Sequence, residues 1–171
     1  MNADDRRFGG GGEGAAAGEK PGRGIRCFAR GRSHAMPTAA SGFEHPELTE
    51  KIIGIFYQVY NELGYGFLES VYEAAMSVAL AEAGLSVCRQ FPVSVHFRGR
   101  SIGEFKIDLL VENIVTLELK AARTLDASHE AQTLNYLRAT NIEIALLLNF
   151  GPKPEIKRLV FSNARKVRAS I

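Results

Sequence analysis

Lys106-Ile107-Asp108-Leu109-Leu110-Val111-Glu112-Asn113-Ile114-Val115-Thr116-Leu117-Glu118-Leu119-Lys120 is the stretch on which the fold turns. Apolar residues recur at every second position on both sides of Glu112-Asn113, the period of β-strands joined by a turn. In the later strand, read as Ile114 to Lys120, Glu118 and Lys120 share one face and Val115, Leu117 and Leu119 the other. In the earlier strand, read as Ile102 to Val111, Ile107, Leu109 and Val111 have one parity and Lys106, Asp108 and Leu110 the opposite one. A three-residue loop at 112–114 sets Asp108 directly across from Glu118, with Cβ atoms about 4.5–5.5 Å apart. A two-residue loop instead sets Asp108 against Leu117, on the wrong face. The pattern alone leaves both registers open.

Upstream, Pro46 suits the first turn of a helix, where its missing N–H costs nothing. Leu48, Ile52, Ile53, Phe56, Val59, Tyr60 and Leu63 follow at spacings of three and four, and Gly64 supplies the stop. A second helix is expected from Phe67 to Ala83, with Leu68, Val71, Ala75 and Ala79 on its apolar side. A strand then covers Val87 to Phe97, where Pro92 implies an edge or a bulge. Downstream of Lys120, a third helix spans Ala127 to Ala139, with Asp126 or Ser128 as cap. Ile142 to Phe150 is nearly all apolar and reads as a strand covered on both faces. Glu155 to Phe161 reads as an outer strand. The order is α-α-β-β-β-α-β-β, an α/β domain over residues 44–171.

Residues 1–43 are a Gly/Ala/Arg-rich tail with almost nothing to bury, and read as disorder. Met36 near its end makes an over-extended start, with Met36 as the native first residue, an equal reading. Residues 1–43 carry seven basic and four acidic side chains, residues 44–150 eight and fourteen, and residues 151–171 six and one. The acidic middle argues against strong nonspecific nucleic-acid binding, which usually needs a basic stripe. It also suits carboxylates gathered to hold a metal ion. No apolar run reaches the roughly 20 residues that span a bilayer, so no membrane partner is expected. Cys27 and Cys88 form no CxxC pair and no histidine stands at metal spacing, which speaks against a disulfide framework or zinc site and makes a cytoplasmic location the default.

Two carboxylates as close as Asp108 and Glu118 repel unless a proton or cation intervenes. A divalent metal wants hard oxygen ligands, so Mg²⁺ held by Asp108, Glu118 and the Leu119 carbonyl would activate a water and offset phosphate charge. Lys120 beside it would position that water or stabilise the charge developing on phosphorus-bound oxygens.

An aspartate, a loop and then Glu-x-Lys on the next strand, following a helix, resembles the core of the PD-(D/E)XK nuclease superfamily. More closely, Gly66-Phe67-Leu68-Glu69-Ser70-Val71-Tyr72 is similar to the GxxExxY signature of a family of small bacterial proteins in that superfamily. The similarity runs over nearly all of residues 45–161, including Gln132 through Tyr136 and the Leu-Leu-Asn-Phe-Gly ending at Gly151. Ile107 stands where the superfamily name has proline. The resemblance implies a restriction-endonuclease-like mixed sheet flanked by helices, with Mg²⁺ or Mn²⁺ as cofactor and DNA or RNA as substrate. It implies Glu69 as a third metal ligand, and Gln132 and Tyr136 as polar groups beside Asp108, Glu118 and Lys120.

Each element also has a plainer reading. Alternating charge is common on exposed strand faces, and Glu69 would favour a helix N-terminus through the dipole. Tyr72 on the next turn points instead to a lined cleft. Gln132 and Tyr136, four apart, have the spacing of an ordinary surface pair. His129 suits a capping or solvent role, and Lys157, Arg158, Arg165, Lys166 and Arg168 suit a solvated end. Cys88 suits an inert core. Against a metal-dependent nuclease stand a nuclease-derived binding module without hydrolysis, and a fold used for association, as a homodimer or with an accessory protein, through the edge strand near Pro92.

Overall fold

The computed structural model describes residues 45–166; the readings of the tail, of Met36 and of Arg168 lie outside them. The elements are α1 (Pro46–Leu63), α2 (Glu69–Glu82), β1 (Val87–Phe97), β2 (Arg100–Val111), β3 (Val115–Lys120), α3 (Ala127–Ala139), β4 (Ile144–Asn149) and β5 (Glu155–Val160), then a short 3-10 turn at Asn163–Arg165. Their order is the expected one. The strands form one mixed sheet in the order β1-β2-β3-β4-β5. β3 and β4 run parallel, joined through α3, and the other neighbours are antiparallel. A parallel pair needs such a crossover, because a tight turn can only reverse the chain.

The main core lies between the sheet and the α1–α2 pair. Ile52, Phe56 and Val59 of α1 and Tyr72, Met76 and Leu80 of α2 pack on Leu109, Val111, Val115, Leu117, Leu119, Leu146 and Leu148. Each fully buried side chain of this kind stabilises the fold by about 1.5–3 kcal/mol. All six residues of β4 are buried, so its near-continuous apolar run reports cover on both faces. β1 is an edge strand with a register shift between Val95 and His96, and Pro92 sits where no outer strand needs its N–H. Asp126 caps α3, its side chain accepting from the Ser128 and His129 backbone, and His129 completes the box. The hydrogen-bonding role read for His129 is the one it has.

Three expectations are corrected. α2 is turned part of the way from the expected face: Ala75 and Ala79 pack on the core, but Leu68 and Val71 are 76% and 39% exposed, while Tyr72, Met76 and Leu80 are fully buried. Alanines flank both stripes, so composition along the helix does not choose between them. Cys88 is buried and disulfide-bonded rather than an inert thiol. Lys166 is no solvated end, since it donates to the Thr140 and Ile142 carbonyls at 2.8 and 2.7 Å and ties the α3–β4 loop down. No helix among the described residues is long and apolar enough to cross a membrane.

Candidate active site

The β2–β3 hairpin takes the three-residue loop. Val111 pairs with Val115, Leu110 with Thr116 and Leu109 with Leu117, the register whose next step along both strands is Asp108 and Glu118. Glu112 and Asn113 both adopt left-handed backbone, and Glu112 is tied to Ser86 twice: its N–H donates to the Ser86 carbonyl and its carboxylate accepts the Ser86 N–H. That tie to the start of β1 holds the loop that the local pattern leaves open.

Beyond Leu109↔Leu117 the β2–β3 pairing stops. The Leu119 N–H is taken by the Asp108 carboxylate at 2.8 Å, so a side chain satisfies the backbone donor at the point where the two strands part. On the other side of β2, the β1 pairing passes over Gln90, whose φ is 50°. Strict alternation breaks here as well. Leu109 and Val111 enter the main core, whereas Ile107 joins Val93 and Tyr136 in a second cluster. Irregular strand pairing of this kind re-aims side chains beside functional sites.

Glu118 is only 4% exposed. One of its oxygens accepts from Lys120 Nζ at 2.7 Å, and the other, Oε2, is buried with no hydrogen-bond partner. Burial first, and then the Asp108 charge, push the Glu118 carboxyl up to about 7. Burial likewise raises Asp108, against the Leu119 N–H and Lys120, which lower it. For Lys120, burial works against the charge, but the Glu118 hydrogen bond and the charges of Glu118, Glu69 and Asp108 outweigh it and raise the pKa. Lys120 is therefore an ammonium at neutral pH. Glu69, exposed at the start of α2, accepts the Ala121 N–H at 3.2 Å, which brings the helix up to the residue after Lys120.

The cleft thus joins Asp108, Glu118, Lys120 and Glu69. Gln132 and Tyr136 are hydrogen-bonded to each other at 2.8 Å. Tyr136 is 6% exposed, so the pair is no ordinary surface pair. Burial and then the Glu118 charge raise its phenol pKa, placing the ring within electrostatic reach of the carboxylates. Among the described residues no three His, Cys, Asp or Glu side chains are already gathered to hold a metal. The donor chemistry nonetheless fits a hard divalent cation: a buried carboxylate oxygen of Glu118 without a hydrogen-bond partner stands near a second carboxylate, and a buried polar atom left unpartnered is costly.

Two parts of this site escape a reading of the sequence. Glu73 is 7% exposed and accepts from Arg89 Nε at 2.8 Å and Gln90 Nε2 at 2.7 Å. Its charge helps raise Asp108. Its place four residues after Glu69, on the same helical face, is the signal that could have found it. Tyr72, expected to line the cleft, is instead fully buried and stacked on Phe150 at 4.2 Å. Its hydroxyl donates to the Gly64 carbonyl and accepts the Phe67 N–H. It anchors the turn before α2, in which Gly66 has φ 111°, a conformation that suits glycine.

The loop after Lys120 is clamped from β4 and β5. Asn149 exchanges two hydrogen bonds of 3.0 Å with the Ala122 backbone, and Glu155 accepts the Leu125 N–H. A Cβ at Gly151 would lie 2.0 Å from the Ala122 carbonyl oxygen. Gly151→Ala is expected to cost about 1–3 kcal/mol and to push the Ala122 loop off Asn149. Chemical denaturation checks this; an unchanged midpoint would show that the loop yields freely.

The family model described as the PD-(D/E)XK nuclease superfamily matches residues 46–159. No curated protein and no solved structure matches the chain.

Proposed function

For a chain that belongs to the PD-(D/E)XK nuclease superfamily, we propose hydrolysis of phosphodiester bonds in DNA or RNA, dependent on Mg²⁺ or Mn²⁺. Within the superfamily, Gly66, Glu69 and Tyr72 group it with the GxxExxY proteins. The observation that carries the reading is the buried Glu118 carboxylate, bound to Lys120 through one oxygen and unpartnered at the other, with Asp108 across from it.

In this reading Glu118 and Asp108 hold the cation, joined by Glu69 from α2. The cation supplies a more acidic bound water and charge to offset the phosphate. Lys120, kept cationic by the carboxylates around it, donates to the attacking water or to a non-bridging phosphate oxygen; it is no general base. Tyr136, held by Gln132, presents a neutral hydroxyl to the same cleft as a positioning group. Glu73 adds negative charge next to Asp108 while tethering Arg89 and Gln90 of β1.

The test is cleavage of end-labelled DNA and RNA, each single-stranded and duplex, with Mg²⁺, with Mn²⁺ and with chelator. Metal-dependent cutting of at least one substrate is expected; none on any substrate would sink the enzyme. The second reading is a binding module without hydrolysis, which the acidic middle of the chain favours. That reading gains if nucleic acid binds and stays intact.

A further inference from the structure

A cavity of about 830 Å³ opens between the β1–β2 edge and the C-terminal half of α3. Its lining includes His96, Phe105, Asn135, Arg138, Asn141 and Asn163. Among the described residues no carboxylate lines it, although the chain between residues 44 and 150 carries fourteen acidic side chains against eight basic. Three side-chain amides, a guanidinium, an imidazole and an aromatic ring therefore face one hollow, and the nearby Glu143 carboxylate is taken up behind it by the Asn163 N–H.

The hollow adjoins the cleft. Phe105, 40% exposed, meets the Tyr136 ring at 5.6 Å between centroids, and Tyr136 feels the charges of Glu118, Lys120 and Asp108. Along β2, Phe105 precedes Asp108 by three residues, about 10 Å of strand, the span of roughly three stacked nucleotides. Arg138 is held in place: it donates to Asn135 at 3.3 Å and lies over the Phe161 ring. Lys166 lines the floor, committed to the Thr140 and Ile142 carbonyls, and adds positive charge there rather than a free hand.

We infer that this groove receives an unpaired stretch of the nucleic-acid strand that the cleft cuts, so that the substrate is single-stranded or carries a single-stranded flank. The inference rests on the nuclease reading and deepens it. Arg138 and His96 meet backbone phosphates, Phe105 stacks a base, and the Asn amides meet base edges. Exposed aromatic rings and amides are what splayed single strands use. The volume lies within the roughly 300–1,000 Å³ of ligand pockets, room for nucleotides. An association strand laid on the β1 edge would need neither the ring nor the guanidinium.

The experiment measures binding of labelled single-stranded DNA and RNA, and of duplexes of the same sequence, to the Lys120→Ala protein with Mg²⁺, with the labelled strands checked for integrity after each measurement. A single strand is expected to bind at least about tenfold tighter than its duplex. Phe105→Ala and Arg138→Ala, added singly, are each expected to weaken that binding about tenfold, and Arg138→Ala to lower the salt dependence by about one ion. Melting curves show that each variant is folded, and Arg138→Ala, on an exposed side chain, guards against collapse of the second cluster. Equal affinity for strand and duplex, or unchanged binding by both folded variants, overturns the groove. If wild type cuts nucleic acid in that case, only the groove fails; if it neither cuts nor binds any, the nuclease reading fails with it.

Discussion

Lys120→Ala is expected to lower the rate of metal-dependent phosphodiester cleavage by about 10²–10³-fold, the usual effect of removing one donor from a site where charge develops. Lys120 is half-buried, hydrogen-bonded to Glu118 at 2.7 Å and held in its charged form by three carboxylates. Its ammonium is therefore already in place before substrate arrives, and no reorganisation is needed during reaction. Because it is not a ligand, metal binding should largely survive its removal. Single-turnover cleavage and metal titration by melting separate the two. A Lys120→Ala enzyme that cuts at wild-type rate would remove the lysine from the mechanism; one that no longer responds to metal would make its role the shaping of the metal site.

The second large effect is on stability, and its sign follows from Glu118. Its carboxyl stands near 7 in the fold against 4.5 for an unperturbed glutamate. The folded state therefore holds a proton that the unfolded state gives up. Stability is greatest below the unfolded value and falls as pH rises from about 4.5 through 7, by about 3 kcal/mol in the metal-free protein. Asp108, raised by burial, adds to the same trend. A divalent cation that binds only the folded carboxylates should reverse the loss, by about 2.7 kcal/mol at a hundredfold excess over Kd. Glu118→Gln should flatten the pH profile and abolish the metal response together. Urea unfolding from pH 4 to 8.5, with chelator and with Mg²⁺ or Mn²⁺, reads both. A flat profile in chelator that millimolar metal leaves unmoved would show that Glu118 is no metal-linked carboxylate.

Both predictions were within reach of the linear chain only in part. Alternation around Glu112-Asn113, the Glu118-Leu119-Lys120 triplet and the helical spacings before and after it were enough to name eight elements in order, since strand and helix periods are properties of neighbouring residues. They were also enough to single out Asp108, Glu118 and Lys120. Contacts remote in the chain settled the rest. The hairpin register depends on Glu112 reaching Ser86, 26 residues away. The buried face of α2 depends on Phe150, which stacks on Tyr72 and draws that tyrosine out of the cleft and into the core. Gln90 and Asp108 interrupt their ladders, so Ile107 and Leu109 part company despite equal parity. Glu73 became visible as part of the site only when β1 brought Arg89 and Gln90 to it. Local period tells which residues can share a face; burial energy, summed over partners far apart in the chain, chooses the face that is covered.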